Sequence, residues 1–70
     1  MSMKISGRNK LQGIVKEIVK DTVMAKVVLD YKGDEIVAVI TADSIDDLGL
    51  KVGDEVAALI KSTEVMIIKQ

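Results

Sequence analysis

Ser6, Gly7, Arg8 and Asn9 set a hydroxyl, a glycine, a guanidinium and a carboxamide side by side, and no acid falls anywhere in Ile5 to Gly13. Such a segment donates hydrogen bonds and positive charge, so the ligand it suits is an anion. Taken alone, four such residues read equally as a polar turn leading into a first strand. Further donors stand at Thr41, Ser44, Lys61 and Ser62. Thr41 and Ser44 flank a predicted helix start, where free backbone N–H groups favour negative charge. Each also has a structural reading: Thr41 as a cap, Ser44 as part of the first turn, Lys61-Ser62 as an exposed hairpin tip. A fully deprotonated tetrahedral oxyanion accepts hydrogen bonds and donates none. Its pocket holds hydroxyls, backbone N–H groups, Arg and Lys, with carboxylates turned away. Hydrogen phosphate brings an O–H proton that such a pocket leaves without an acceptor.

Catalysis has little to draw on. The chain has no His and no Cys, which removes the usual general base near neutral pH, the commonest transition-metal ligand and thiolate chemistry. Ser6, Ser44 and Ser62 therefore have no imidazole to activate them, and no Gly-x-Ser-x-Gly or Gly-x-x-x-x-Gly-Lys motif occurs. Asp43, Asp46 and Asp47 lack the ligand spacing and glycine of a calcium loop and read as solvated acids at a helix start. We expect a non-enzyme with neither metal nor cofactor of its own.

Seventy residues make one domain, 1–70, and a core of that size rarely supplies more than about 3–5 kcal/mol unaided. Disulfides are excluded, yet 49% of the chain is hydrophobic, nearly all of it aliphatic, with Tyr31 the single aromatic. A small aliphatic chain without staples is expected to bury part of that surface against copies of itself. Ten basic and eleven acidic residues leave a net charge of −1, so no global field draws in nucleic acid or anionic lipid. The start Met1-Ser2-Met3-Lys4 has no signal-like apolar segment behind it, and the longest apolar runs, Ile36 to Ile40 and Val56 to Ile60, are too short to span a bilayer. A soluble, cytoplasmic protein is expected.

The elements that must position these donors follow from pattern. Leu11 to Val19 is β-compatible but interrupted by Gly13, which marks a bulge or a close backbone approach. Lys20-Asp21-Thr22 reads as a turn. Val23, Ala25, Val27, Leu29 and Tyr31 then alternate as one apolar face. Lys32-Gly33-Asp34 closes a hairpin into Ile36 to Ile40, which is apolar on both faces and so suggests a neighbouring subunit. Thr41 to Gly49 carries a capping residue, early acids and a left-handed stop, predicting one helix of roughly two turns. After the turn Leu50 to Asp54, Val56 to Ile60 and Val65 to Ile68 predict two more strands around Lys61 to Glu64. Gly33 to Thr41 and Gly53 to Lys61 echo each other, so Thr41 and Lys61 occupy equivalent places beyond an apolar strand. Three strands, a short helix and two strands is the order of a small five-stranded barrel of the oligonucleotide/oligosaccharide-binding (OB) type. The expected fold class is all-β: an OB-like Greek-key barrel with one short helix between strands 3 and 4.

Over nearly its whole length the chain resembles the molbindins, free-standing molybdate-binding domains of the Mop/TOBE family. The resemblance lies in Ser6-Gly7-Arg8-Asn9 with Leu11 and Gly13, in Val23 to Val27, in Ile40-Thr41-Ala42-Asp43-Ser44 and in Ile60-Lys61-Ser62. The family commonly has Ala where this chain has Gly7 and Asn where it has Met24; neither change removes a donor side chain. The resemblance implies a homo-hexamer, a trimer of dimers, that binds molybdate or tungstate between subunits. Carried over, Ser6 and Arg8 would come from one subunit, and Thr41, Ser44, Lys61 and the backbone N–H of Ser62 from its neighbour, with Asn9 structural. A second class of oxyanion site on the threefold axis is also implied, without assignable residues. Storage or homeostasis of the oxyanion is the implied role.

An alternative belongs to another class. Leu48 to Val56, with the apolar strand after it and Val65 to Lys69, resembles the swapped-hairpin half of AbrB-type DNA-binding proteins. The slightly negative net charge opposes this, since phosphate contacts from Lys and Arg dominate DNA affinity. So does the lack of any Pro, which that family's upstream motif contains.

Overall fold

The computed structural model describes residues 8–70. Four strands form one curled antiparallel sheet: β1 (Arg8–Lys20), β2 (Met24–Tyr31), β3 (Asp34–Thr41) and β4 (Glu55–Lys61), in the order β3-β2-β1-β4. One helix, α1 (Ala42–Leu48), lies between β3 and β4, and a 3-10 turn, Ser62–Glu64, follows β4.

The long strand β1 is the spine. Its first half, Arg8 to Ile14, pairs with β4, and its second half, Ile14 to Lys20, pairs with β2. The hand-over falls at Val15, whose N–H donates to Asp54 O (2.9 Å) and whose carbonyl accepts from Gly53 N (2.8 Å). No backbone group of Val15 is orphaned by the change of partner. A bulge between Val15 and Glu17 bends the strand there. Gly13 is the close approach its position suggested: a Cβ there would stand 2.6 Å from Asp30 O.

β2 and β3 are joined by Lys32 (φ 52) and Gly33 (φ 89), a two-residue loop of left-handed residues whose twist matches a hairpin. Asp30 Oδ1 accepts from Gly33 N (3.1 Å), pinning the turn. The predicted apolar face of β2 delivers Ala25, Val27 and Leu29 to the core, where they meet Val15 and Ile45. Val23 lies before β2 and is exposed, while Val28, on the opposite face, is buried. Ile36 and Ile40 of β3, Val56 and Ala58 of β4, and Leu50 pack around this core half-buried.

Lys16 Nζ and Glu35 Oε2 form an exposed ion pair (2.6 Å) that links the bulge to β3 across β2. The shared hydrogen bond, then the opposite charge, hold the Glu35 carboxyl below its usual range and lift the Lys16 ammonium above its own. Whatever stability the pair adds is therefore lost as pH falls through the Glu35 range or rises through the Lys16 range. Because both groups are exposed, Glu35→Gln is expected to leave the melting temperature unchanged at high salt.

The fold corrects one expectation. Among the described residues four strands form, not five: after Ser62–Glu64 the chain runs through Val65 (φ −90, ψ 129) in extended conformation, but Val65 to Ile68 joins no ladder and stays exposed. Apolar, mostly β-branched residues make a segment fit for a strand, but it becomes one only where it meets a sheet edge. The sheet consequently stays open between its edge strands β3 and β4.

Candidate functional site

α1 begins as the residue types dictate. Thr41 keeps extended dihedrals (φ −74, ψ 151), and its Oγ1 accepts from the backbone N–H of Ser44 (3.1 Å). Gly49, at φ 62, closes the helix with its N–H donating to Asp46 O (3.1 Å). Thr41 Oγ1 and Ser44 Oγ are also 2.7 Å apart. One hydroxyl donates to the other, which leaves one O–H free to donate outward. The capping role therefore leaves the pair a hydroxyl that can still donate to a ligand. Thr41→Ala is expected to cost about 1 kcal/mol of stability through the lost cap, whereas Thr41→Ser retains it. Urea unfolding of both variants at equal protein concentration checks this.

At the other end of β1, Arg8 and Lys61 are ladder partners, the terminal pair of the β1–β4 pairing. Lys61 is exposed and has no ion-pair partner among the described residues. Ser62 opens the 3-10 turn directly after it. Ser6 lies outside the described residues. Asn9 stands within β1, opposite Ile60, rather than in a loop.

The five candidate donors among the described residues thus resolve into two groups. Arg8, Lys61 and Ser62 gather where β1 begins and β4 ends, while Thr41 and Ser44 lie beyond Met24, at the far end of the β1–β2–β3 ladder. No hydrogen bond among the described residues joins the two groups. α1 itself carries acids: Asp46 is held by Lys20 (2.7 Å) and Asp43 is exposed. The adjacency of Arg8 and Lys61 is new relative to the sequence reading; it depends on register, and no local signal carries it.

Among the described residues the surface carries two hollows of note. One, of about 590 Å³, lies at the β1 hand-over beside Gly13, Asp30 and Glu55. The other, of about 840 Å³, is the apolar gap between β3 and β4. Neither is lined by Thr41, Ser44, Lys61 or Ser62. Among the described residues no group of three or more His, Cys, Asp and Glu gathers as a metal cluster, and no helix is long and apolar enough to cross a membrane.

The TOBE domain model matches residues 5–67 of this chain. Molybdenum-pterin-binding protein 3 of Clostridium pasteurianum is 51% identical over 67 residues, which cover 94% of this chain and 98% of that protein. A molybdate-binding protein from Sporomusa ovata superposes with a TM-score of 0.91 at 66% identity, covering 96% of this chain and 100% of its own. The cytoplasmic molybdate-binding protein ModG, solved with molybdate bound, superposes with a TM-score of 0.80 at 39% identity, over 86% of this chain and 43% of that one. These relatives are named as binding proteins and none as a DNA-binding protein. The AbrB-type alternative also fails on structure, because Leu48 to Val56 is a helix end, a turn and the start of β4 in a sheet spined by β1. The chain belongs to the TOBE domain family and, within it, to the molbindins.

Proposed function

We propose that this protein binds molybdate or tungstate in the cytoplasm and stores or buffers it, at sites between the subunits of a homo-hexamer built as a trimer of dimers. The observation that carries the reading is the near full-length match, at 66% identity, to a molybdate-binding protein. Similarity to the cytoplasmic ModG supports the location. In this reading Ser6 and Arg8 of one subunit face Thr41, Ser44, Lys61 and the backbone N–H of Ser62 of a neighbour. The oxyanion is captured by charge-assisted hydrogen bonds rather than by metal–protein coordination. Neither hollow of the single chain is lined by Thr41, Ser44, Lys61 or Ser62, which supports a site completed by a second chain. Exposed apolar residues on the outer faces of β3 and β4 support the oligomer. The completed subunit in this reading is the five-stranded OB-like barrel. Neither nucleic acid nor membrane is a partner, and no catalysis or resident cofactor is involved.

Calorimetric titration with molybdate, with sulfate and phosphate in parallel, tests the function. Saturable molybdate binding with little response to the two controls is expected. Absence of molybdate binding by assembled protein would sink the reading.

A further inference from the structure

We propose that Lys10 is a further residue of the oxyanion site, one that draws the dianion toward Lys61 by its charge without being among the groups that hold it. The proposal rests on the oxyanion reading above and adds a residue which that reading does not name.

Register puts Lys10 there. In β1 it is the ladder partner of Leu59, and Lys61 stands two residues further along β4. Cross-strand partners share a face of the sheet, and so do residues two apart on one strand. β4 alternates strictly, with Glu55, Ala57, Leu59 and Lys61 exposed and the residues between them half-buried. Lys10 and Gln12 are exposed, while Leu11 between them is half-buried. Lys10 and Lys61 are therefore diagonal neighbours on the outer face, with Cβ atoms about 7–8 Å apart. β1 takes no partner from β2 until Ile14, so no residue of β2 stands across from Lys10 on its other side.

This end of the face also lacks acids. None occurs in β1 before Glu17, and none in β4 after Glu55, which lies opposite Ile14 and away from Lys10. Glu64 follows in the 3-10 turn, and no ion pair ties it to either lysine among the described residues. Lysines elsewhere are engaged: Lys16 with Glu35, Lys20 with Asp46, and Lys32 over the Tyr31 ring at 5.3 Å. Two neighbouring cations without a counter-charge repel each other, and a bound anion relieves that cost.

The charge of the whole protein makes local attraction necessary. Each chain carries a net charge of −1, and every copy added to an assembly makes it more negative. An approaching dianion is repelled at long range and needs a local cationic face to reach its donors. A unit cation on the order of 8 Å from a dianion in water shifts its binding about fivefold when unscreened. The Debye length of about 30 Å at 0.01 M salt leaves most of that attraction, and about 3 Å at 1 M removes it. A lysine that touches the ion loses far less to salt.

Calorimetric titration of the assembled full-length protein with molybdate, in about 0.01 M and about 1 M sodium chloride, tests this. Lys10→Gln removes the charge and keeps a polar side chain, whereas Lys10→Arg keeps the charge. Lys10→Gln is expected to bind about three- to fivefold more weakly than wild type at low salt, and within a factor of about 1.5 at high salt. Lys10→Arg is expected to match wild type at both. Wild-type affinity for Lys10→Gln at low salt would overturn the proposal. So would an equal loss at both salts, which marks a direct contact or a structural role, or a loss shared by Lys10→Arg. A wild-type protein that takes up no molybdate would overturn the oxyanion reading and the role of Lys10 with it. Failure of the Lys10 variants alone leaves the oxyanion reading intact.

Discussion

Lys61→Ala is expected to weaken molybdate binding by about ten- to a hundredfold, with the assembly left intact. A hydrogen bond to a charged group contributes about 1.5–3 kcal/mol, and more of it is felt where water is excluded. Lys61 is exposed at the end of β4 and pairs with no acid among the described residues, so its removal breaks no contact seen within the chain. Arg8→Ala is expected to act similarly. Arg8→Lys separates charge from shape: it keeps the cation but loses the planar fork, and affinity is expected to fall between wild type and the Ala variant. Calorimetry gives the affinities, and sedimentation at matched concentration shows whether the oligomer survives. If both Ala variants bind like wild type, these residues do not hold the oxyanion.

The second large effect is on stability. Gly13→Ala is expected to cost about 1–3 kcal/mol, the range for forcing a methyl into filled space. The new Cβ would meet Asp30 O at 2.6 Å and Asp30 C at 3.3 Å, both backbone atoms that cannot swing aside. Relief requires β1 to lift from β2 beside the hand-over at Val15, where both partner strands are held. For a domain whose core rarely supplies more than about 3–5 kcal/mol, that is a large share. The cause is space: Gly13 is not among the left-handed residues. Gly33→Ala provides the contrast, with nothing within 4 Å of its added Cβ but a φ of 89 that strains any side chain. Urea unfolding midpoints for the two variants measure both effects. A wild-type midpoint for Gly13→Ala would contradict the close approach.

What was legible in the sequence was local. Thr41 and Gly49 announce the ends of α1 because capping chemistry depends on nearest neighbours. Lys32-Gly33 announces the hairpin for the same reason. The echo between Gly33–Thr41 and Gly53–Lys61 became two strands that each follow a left-handed glycine, and these are the two edges of the sheet. Register was not legible. Nothing near Arg8 in sequence says that it faces Lys61, and the equivalence of Thr41 and Lys61 gave no hint that they lie at different ends of the β1 ladder. β1 also begins earlier than its apolar pattern, at Arg8 rather than Leu11, because pairing with β4 extends it through polar residues. The missing fifth strand has the same origin. The composition of Val65 to Ile68 states a preference for a sheet without stating which edge receives it.

The most direct test of an oxyanion held between chains is a crystal structure with tungstate, whose anomalous scattering locates the ion unambiguously. The expected peak lies at a subunit interface, with Arg8 of one subunit and Lys61 and the Thr41–Ser44 hydroxyl pair of its neighbour donating to it, and with no carboxylate in contact. A peak enclosed by a single chain, a peak away from these donors, or no peak in the assembled protein would contradict it.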